Sequence, residues 1–142
     1  MKDYFKLEIT AESKNEAFAR ATVASFSLAL SPTLEEIGDV KTATSEAVTN
    51  AVVHAYRGGE GIIEIIGEID AKENSLTVTV ADFGCGIEDV ERALEPFYTT
   101  KQDDERSGMG FTIIDTFTDE MQVSSTLGAG TTVKFKKVFK KC

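Results

Sequence analysis

The sequence predicts an antiparallel sheet covered by helices on one side. Three observations carry that expectation. Several short segments alternate apolar and polar residues, the period of strands with one dry face. Two N-terminal segments repeat instead at helical spacing. The alternating segments pair off through short polar or glycine-containing loops, as hairpins do. No linker, repeat or low-complexity stretch interrupts the 142 residues, so a single domain over 1–142 is expected.

Each element has its own local signal. Residues 6–10 (K-L-E-I-T) alternate and read as a first strand. Ser13 with Glu16 is a capping-box pattern, opening a helix to about Leu30 that is more apolar than a simple amphipathic one. Ser31-Pro32 restarts the chain, with serine as N-cap and proline at the first helical position. One long helix then runs to Tyr56, its buried stripe marked by Ile37, Val40, Thr44, Ala47, Val48, Ala51 and Ala55, and Arg57-Gly58-Gly59 ends it. Residues 62–69 and 76–82 are strands joined by A-K-E-N-S. Residues 88–94 form a short helix, 96–107 a polar loop expected to be mobile, and 110–117 a helix. A final hairpin, 121–126 and 131–139, turns through L-G-A-G.

Composition removes several function classes. The net charge of -9 argues against general nucleic-acid binding and fits either a basic partner or plain solubility. No apolar run is long enough to span a membrane and residues 1–10 do not form a signal peptide, so a cytoplasmic protein is expected. Cys85 and Cys142 make neither a disulfide framework nor a zinc motif. A single histidine and no H-E-x-x-H exclude zinc hydrolase chemistry, and no G-x-S-x-G supports a serine triad. The G-x-G units at Gly84, Gly108 and Gly128 never extend to G-x-G-x-x-G, and there is no P-loop.

What remains is a set of polar and glycine clusters. Within S-E-A-V-T-N-A-V-V-H-A-Y (45–56), helical spacing aligns Glu46, Asn50 and His54 in one polar ridge opposite Val48, Ala51, Val52 and Ala55. Alone, that ridge is most simply a solvent-facing side. It is followed by D-F-G-C-G-I (82–87), R-S-G-M-G-F (106–111) and G-A-G-T-T (128–132), and the order and joint presence of these clusters are specific.

With F-Y-T-T-K (97–101) and E-R-S-G-M-G-F-T-I (105–113), these stretches resemble the GHKL ATP-binding superfamily over nearly the whole chain. Within it the sequence is closely similar to the bacterial sporulation anti-sigma factor serine kinases, the anti-sigma-F family; T-T-K followed by E-R-S-G-M-G-F narrows the match. Tyr98 stands where a second apolar residue is expected. The resemblance implies an α/β fold, an α+β two-layer sandwich of the Bergerat type with a mixed or antiparallel sheet, holding ATP or ADP with Mg²⁺. Asn50 would offer an oxygen to Mg²⁺, a hard cation that keeps waters and bridges phosphates. Asp82 would accept from the adenine amino group, with Thr131 in support. Gly84 and Gly86 would let backbone approach the nucleotide. Gly108 and Gly110 would turn backbone N–H groups to the phosphates. Ile87, Thr100, Ser107, Met109 and Phe111 belong to the same boxes.

Glu46 and Arg106 are the catalytic candidates: Glu46 as acceptor of a hydroxyl proton, Arg106 neutralising the transferring phosphoryl, a role worth roughly 10³-fold or more. Lys101 either shares that charge or solvates its loop. His54 either supports Glu46 or Asn50 or is an ordinary helix histidine, the second being preferred. The implied function is an anti-sigma factor that binds a sporulation sigma factor and phosphorylates a serine on an antagonist protein, as a homodimer without nucleic-acid or membrane contact. The alternatives are a stress-response anti-sigma kinase with another sigma partner and a detached histidine-kinase-like catalytic domain.

Overall fold

A computed structural model describes residues 2–57, 59–95 and 110–141. Five strands, β1 (Asp3–Thr10), β2 (Ile62–Asp70), β3 (Ser75–Asp82), β4 (Glu120–Thr126) and β5 (Gly130–Val138), form one sheet in the order β1-β2-β3-β5-β4. Every neighbouring pair is antiparallel. The alternation seen in the sequence becomes the two faces of this sheet. Ile63, Ile65, Ile69, Leu76, Val78, Val80, Val133 and Phe135 are buried on one face under the helices. On the other, Lys6 pairs with Glu64 at 3.4 Å and Lys136 with both Glu73 and Glu120. Such exposed pairs contribute about 0–1 kcal/mol each.

The covering layer holds α1 (Asn15–Ser27), α2 (Leu34–Asn50) and α4 (Gly110–Phe117), with α2 between the other two. A four-residue helix, α3 (Val90–Ala93), follows β3, shorter than the expected 88–94. Val40, Ala43, Ala47 and Val48 of α2 pack into the core with Ile114 of α4. A polar seam joins α1 to α2. Thr49 Oγ1 donates to Glu16 Oε2 at 2.8 Å, and Arg20 donates to Ser45 Oγ at 3.1 Å while pairing with Glu16.

Two expected helix starts are corrected. Lys14, not Ser13, precedes α1 and its side chain makes no cap bond; Glu16 is turned to Thr49 and Arg20 instead of back to a cap. The first helix also closes earlier, tightening into a 3-10 turn at Leu28–Leu30. Ser31 ends that turn in the left-handed region (φ 51°), so it is a C-cap and not an N-cap. A residue before proline avoids the right-handed helical region, and α2 therefore starts past Pro32. Thr33 caps it: its Oγ1 accepts from Glu36 N–H at 3.1 Å, and Glu36 Oε1 accepts from Thr33 N–H at 2.9 Å. Glu36 Oε2 also accepts from Lys140 N–H at 2.9 Å. A carboxylate that secures both a helix start and the C-terminal segment fixes the box at Thr33.

Thr44 sits fully buried in α2, and its hydroxyl has no hydrogen-bond partner among the described residues. An unpaired buried hydroxyl costs about 1–3 kcal/mol. Thr44→Val is therefore expected to raise stability by about 1 kcal/mol, seen as a higher urea midpoint at unchanged slope; a lower midpoint would show that the hydroxyl is satisfied in solution.

Candidate functional site

At the C-terminal end of α2 the backbone leaves α geometry. Ala51–Ala55 form a π segment, with Tyr56 N–H reaching Ala51 O at 3.2 Å. One extra residue per turn frees carbonyls from their usual partners, and such segments recur at functional sites. Here the carbonyls turn to the loop after β3. Ala55 O accepts from Cys85 N–H at 3.1 Å and His54 O from the Cys85 thiol at 3.4 Å. Tyr56 completes the seam: its hydroxyl donates to Ile62 O and accepts from Phe83 N–H, both at 2.7 Å.

A cleft of about 760 Å³, open mouth included, lies beside this seam. Asn50, His54, Asp82, Gly86, Ile87, Gly110, Phe111 and Thr131 all line it. Eight of the predicted site residues thus come together from α2, the β3 exit, α4 and β5. Ala47, Ala51 and Ala55 line the same wall as Asn50 and His54. The expected opposition of polar ridge and apolar face is corrected accordingly: small alanine side chains hollow out the wall between the polar ones.

Two predicted residues stand elsewhere. Gly84 does not line the cleft; its Cα lies against Ala55, where any side chain would strike the Ala55 carbonyl. Its lack of a side chain serves the loop–helix seam. Glu46, half-buried on α2, is one turn before Asn50 and outside the cleft lining. Thr100, Lys101, Arg106, Ser107, Gly108 and Met109 lie outside the described residues, as does the whole of the expected 96–107 loop.

Asp82 forms the cleft floor. It is buried, and its Oδ1 accepts from Gly84 N–H at 3.0 Å and from Thr131 N–H at 3.1 Å. Burial pushes its carboxyl above the ordinary aspartate range, and these two donors only partly pull it back. Both bonds use Oδ1, so Oδ2 retains acceptor capacity for a ligand N–H. Across the cleft, Asn50 Nδ2 is buried with no partner among the described residues. Gly110 stands over it: a side chain there would sit 2.7 Å from Asn50 Oδ1. An orphaned amide under a glycine that opens a helix marks a place kept for a ligand.

Sequence reasoning missed four contributors. Val80 and Val133 supply apolar walls, Arg57 sits at the cleft in a left-handed conformation (φ 50°), and Ser125 binds behind the floor. None carries a local signal. Ser125 is drawn in by the β4–β5 register, which sets it opposite Thr131. Tyr56 is likewise legible only in the fold. Tyr56→Phe is expected to cost about 1 kcal/mol, read as a lower thermal midpoint; an unchanged midpoint would mean water replaces the hydroxyl without loss.

Comparison with known proteins agrees with this geometry. Residues 9–137 match the family described as Histidine kinase-like ATPase domain. An anti-sigma F factor of Clostridium acetobutylicum is 50% identical over 139 residues, covering 98% of this chain and 96% of that one. Another, from Caldanaerobacter subterraneus subsp. tengcongensis, is 52% identical over 132 residues, covering 93% and 91%. The crystal structure of the RsbU and RsbW domains of a Mycobacterium tuberculosis protein superposes with a TM-score of 0.71 at 17% identity, covering 99% of this chain and 33% of that one, which is a likeness of fold. A histidine kinase domain of Erythrobacter litoralis superposes over 74% of this chain and 45% of its own, with a TM-score of 0.56 at 25% identity. With the match running through the strands, the π segment and the cleft-lining boxes alike, the chain belongs to the histidine kinase-like ATPase family and, within it, to the anti-sigma F factors.

Proposed function

We propose that this protein binds an RNA polymerase sigma factor of sporulation, withholds it from polymerase, and uses Mg-ATP to phosphorylate a serine on an antagonist protein. The observation that carries the reading is the cleft itself: a buried acceptor, Asp82, on one side and, on the other, the Asn50 amide beneath Gly110, whose Nδ2 has no partner among the described residues. The relatives named anti-sigma F factor, matched nearly end to end, supply the partner class.

The residues present fit a magnesium nucleotide. Asp82 Oδ2 suits an exocyclic amino group, and Val80, Val133 and Phe111 suit the faces of a purine. Asn50, with its amide turned to present oxygen, would hold Mg²⁺, a hard cation that takes oxygen ligands. No cluster of three or more metal-ligating side chains exists among the described residues, consistent with a metal held mainly by its nucleotide. Bound Mg-ATP supplies the transferable phosphoryl group. The protein's part is positioning, charge and one proton. Glu46, one turn from Asn50, takes the proton of the attacking serine hydroxyl. Arg106 neutralises the charge that develops, with Lys101 earlier in the same segment sharing it; Ser107, Gly108 and Met109 complete the phosphate side, and Thr100 its approach. His54 lines the wall as part of the helix. Nucleotide state selects between the two partners, and a homodimer working in the cytoplasm completes the reading.

A paired capture tests it. Loaded with Mg-ATP or Mg-ADP, the protein is exposed to lysate of its source cells, and captured chains are identified by mass. A sigma factor, together with a small protein gaining one phosphate on serine, is expected. Phosphate appearing on a histidine of a regulator would favour the histidine-kinase alternative and overturn the serine reading.

A further inference from the structure

Ser125 lies behind the cleft floor and makes three contacts through one oxygen. Ile87 N–H donates to it at 2.7 Å, Gly130 O lies at 3.1 Å, and Thr131 Oγ1 at 2.8 Å. A serine hydroxyl has one proton to give and two lone pairs to receive with. The carbonyl of Gly130 only accepts, so Ser125 must spend its proton there. The backbone N–H of Ile87 only donates, so it fills one lone pair. The contact with Thr131 is then a hydrogen bond in one sense alone: Thr131 donates and Ser125 accepts. All three contacts are satisfied by this arrangement and by no other.

The consequence falls on the cleft. Thr131 lines it, and its hydroxyl proton is committed to Ser125, leaving lone pairs only. Asp82, ionised, is acceptor-only as well, and Thr131 N–H already occupies its Oδ1. We infer that Ser125 is a specificity-positioning residue: by drawing the proton of Thr131 away from the cleft, it makes the floor accept and never donate, so that a purine with a 6-amino group is taken and a 6-oxo purine refused. A 6-amino group brings two N–H donors to two acceptors. A 6-oxo group brings lone pairs against lone pairs, and the N1–H beside it serves at most one of the two acceptors, so one contact stays mismatched, which buried polar sites reject. The inference rests on nucleotide binding at this cleft and adds the residue that sets base choice.

The test is calorimetric titration of the full chain with ADP and IDP, each with Mg²⁺, for wild type, Ser125→Ala, Ser125→Thr and Thr131→Val, with thermal melts confirming that each is folded. Wild type is expected to favour ADP by about 10²-fold. Ser125→Ala releases the Thr131 proton, which then turns to the 6-oxo group, and the preference falls about tenfold. Ser125→Thr keeps a hydroxyl in place and restores the preference. Thr131→Val, which removes the lone pairs themselves, lowers it as well and carries the test should Ser125→Ala fail to fold. Loss of the Ile87 contact weakens both nucleotides alike, so an equal loss in Ser125→Ala with the ratio unchanged would overturn the inference and assign Ser125 to structure. A wild type that binds both nucleotides equally would also overturn it, leaving nucleotide binding intact. Failure to bind either nucleotide would instead overturn the functional reading together with the inference.

Discussion

Glu46→Gln is expected to bind Mg-ATP as wild type does and to lose phosphoryl transfer by about 10²–10⁴-fold. Glutamine keeps the shape and the polar contacts of the side chain but cannot accept a proton at neutral pH. Glu46 is outside the cleft lining, so nucleotide affinity, measured by calorimetry, is predicted to stay within about twofold of wild type. Transfer is followed as phosphate gained by the antagonist in single turnover, which removes product release from the rate. Loss in transfer with binding preserved identifies an interaction made at the reacting hydroxyl. Undiminished transfer would remove the proton-acceptor role. Equal loss of binding and transfer would place Glu46 among the residues that shape the helix, beside Ser45 and Thr49, which tie α2 to α1.

Asp82→Asn should have an effect of opposite character: affinity for adenine nucleotides falls by about 10²–10³-fold, and the fold is not weakened. The asparagine oxygen still accepts from Gly84 and Thr131 N–H, so the loop and β5 remain pinned. Its amide nitrogen, however, meets the ligand's amino group donor to donor. Stability carries a second signature. The folded-state pKa of Asp82 is raised, chiefly by burial. A raised carboxyl binds its proton more tightly in the folded chain, so the contribution of this group is most favourable in acid and declines as pH climbs from the unfolded value of about 3.9 through the folded one. Asparagine has no such decline. The variant is therefore predicted to melt at or above wild type near neutral pH, with its relative advantage shrinking toward about pH 3. A variant that melts well below wild type at neutral pH would show that the carboxylate charge itself holds the floor together.

Much of this protein was determined by its sequence alone. Alternation of Ile63, Ile65 and Ile69 with Glu64 and Glu68 in β2, and of Leu76, Val78 and Val80 with Thr77 and Thr79 in β3, required strands with one buried face, because a side chain flips face at every step. Gly110–Phe117 forms as the sequence indicated, with Ile114 buried in the core and Phe111 packed against it, as helical spacing of apolar residues requires. The polar and glycine clusters identified the cleft because ligand chemistry demands those residue types, and Asn50, Asp82, Gly86, Gly110 and Thr131 meet as the motifs imply.

Tertiary structure decided the rest. Ser13 and Ser31 both had the chemistry of a helix cap and neither became one: Glu16, the partner Ser13 needs for a capping box, is turned to Thr49, while Ser31 closes the preceding turn at φ 51° and Glu36 boxes Thr33 instead. Local propensity is worth about 1 kcal/mol at a cap, and a long-range hydrogen bond to a carboxylate outweighs it. The π segment follows from the same competition: carbonyls of His54 and Ala55 leave the helix ladder for Cys85. Gly84 was assigned to the ligand by its motif and to Ala55 by packing. Ser125 has no motif at all and gains its place only when β4 pairs with β5. Periodicity records which face a residue shows to the core, whereas the partner of a polar atom is set by elements far apart in the chain, and only the folded sheet brings them within hydrogen-bonding distance.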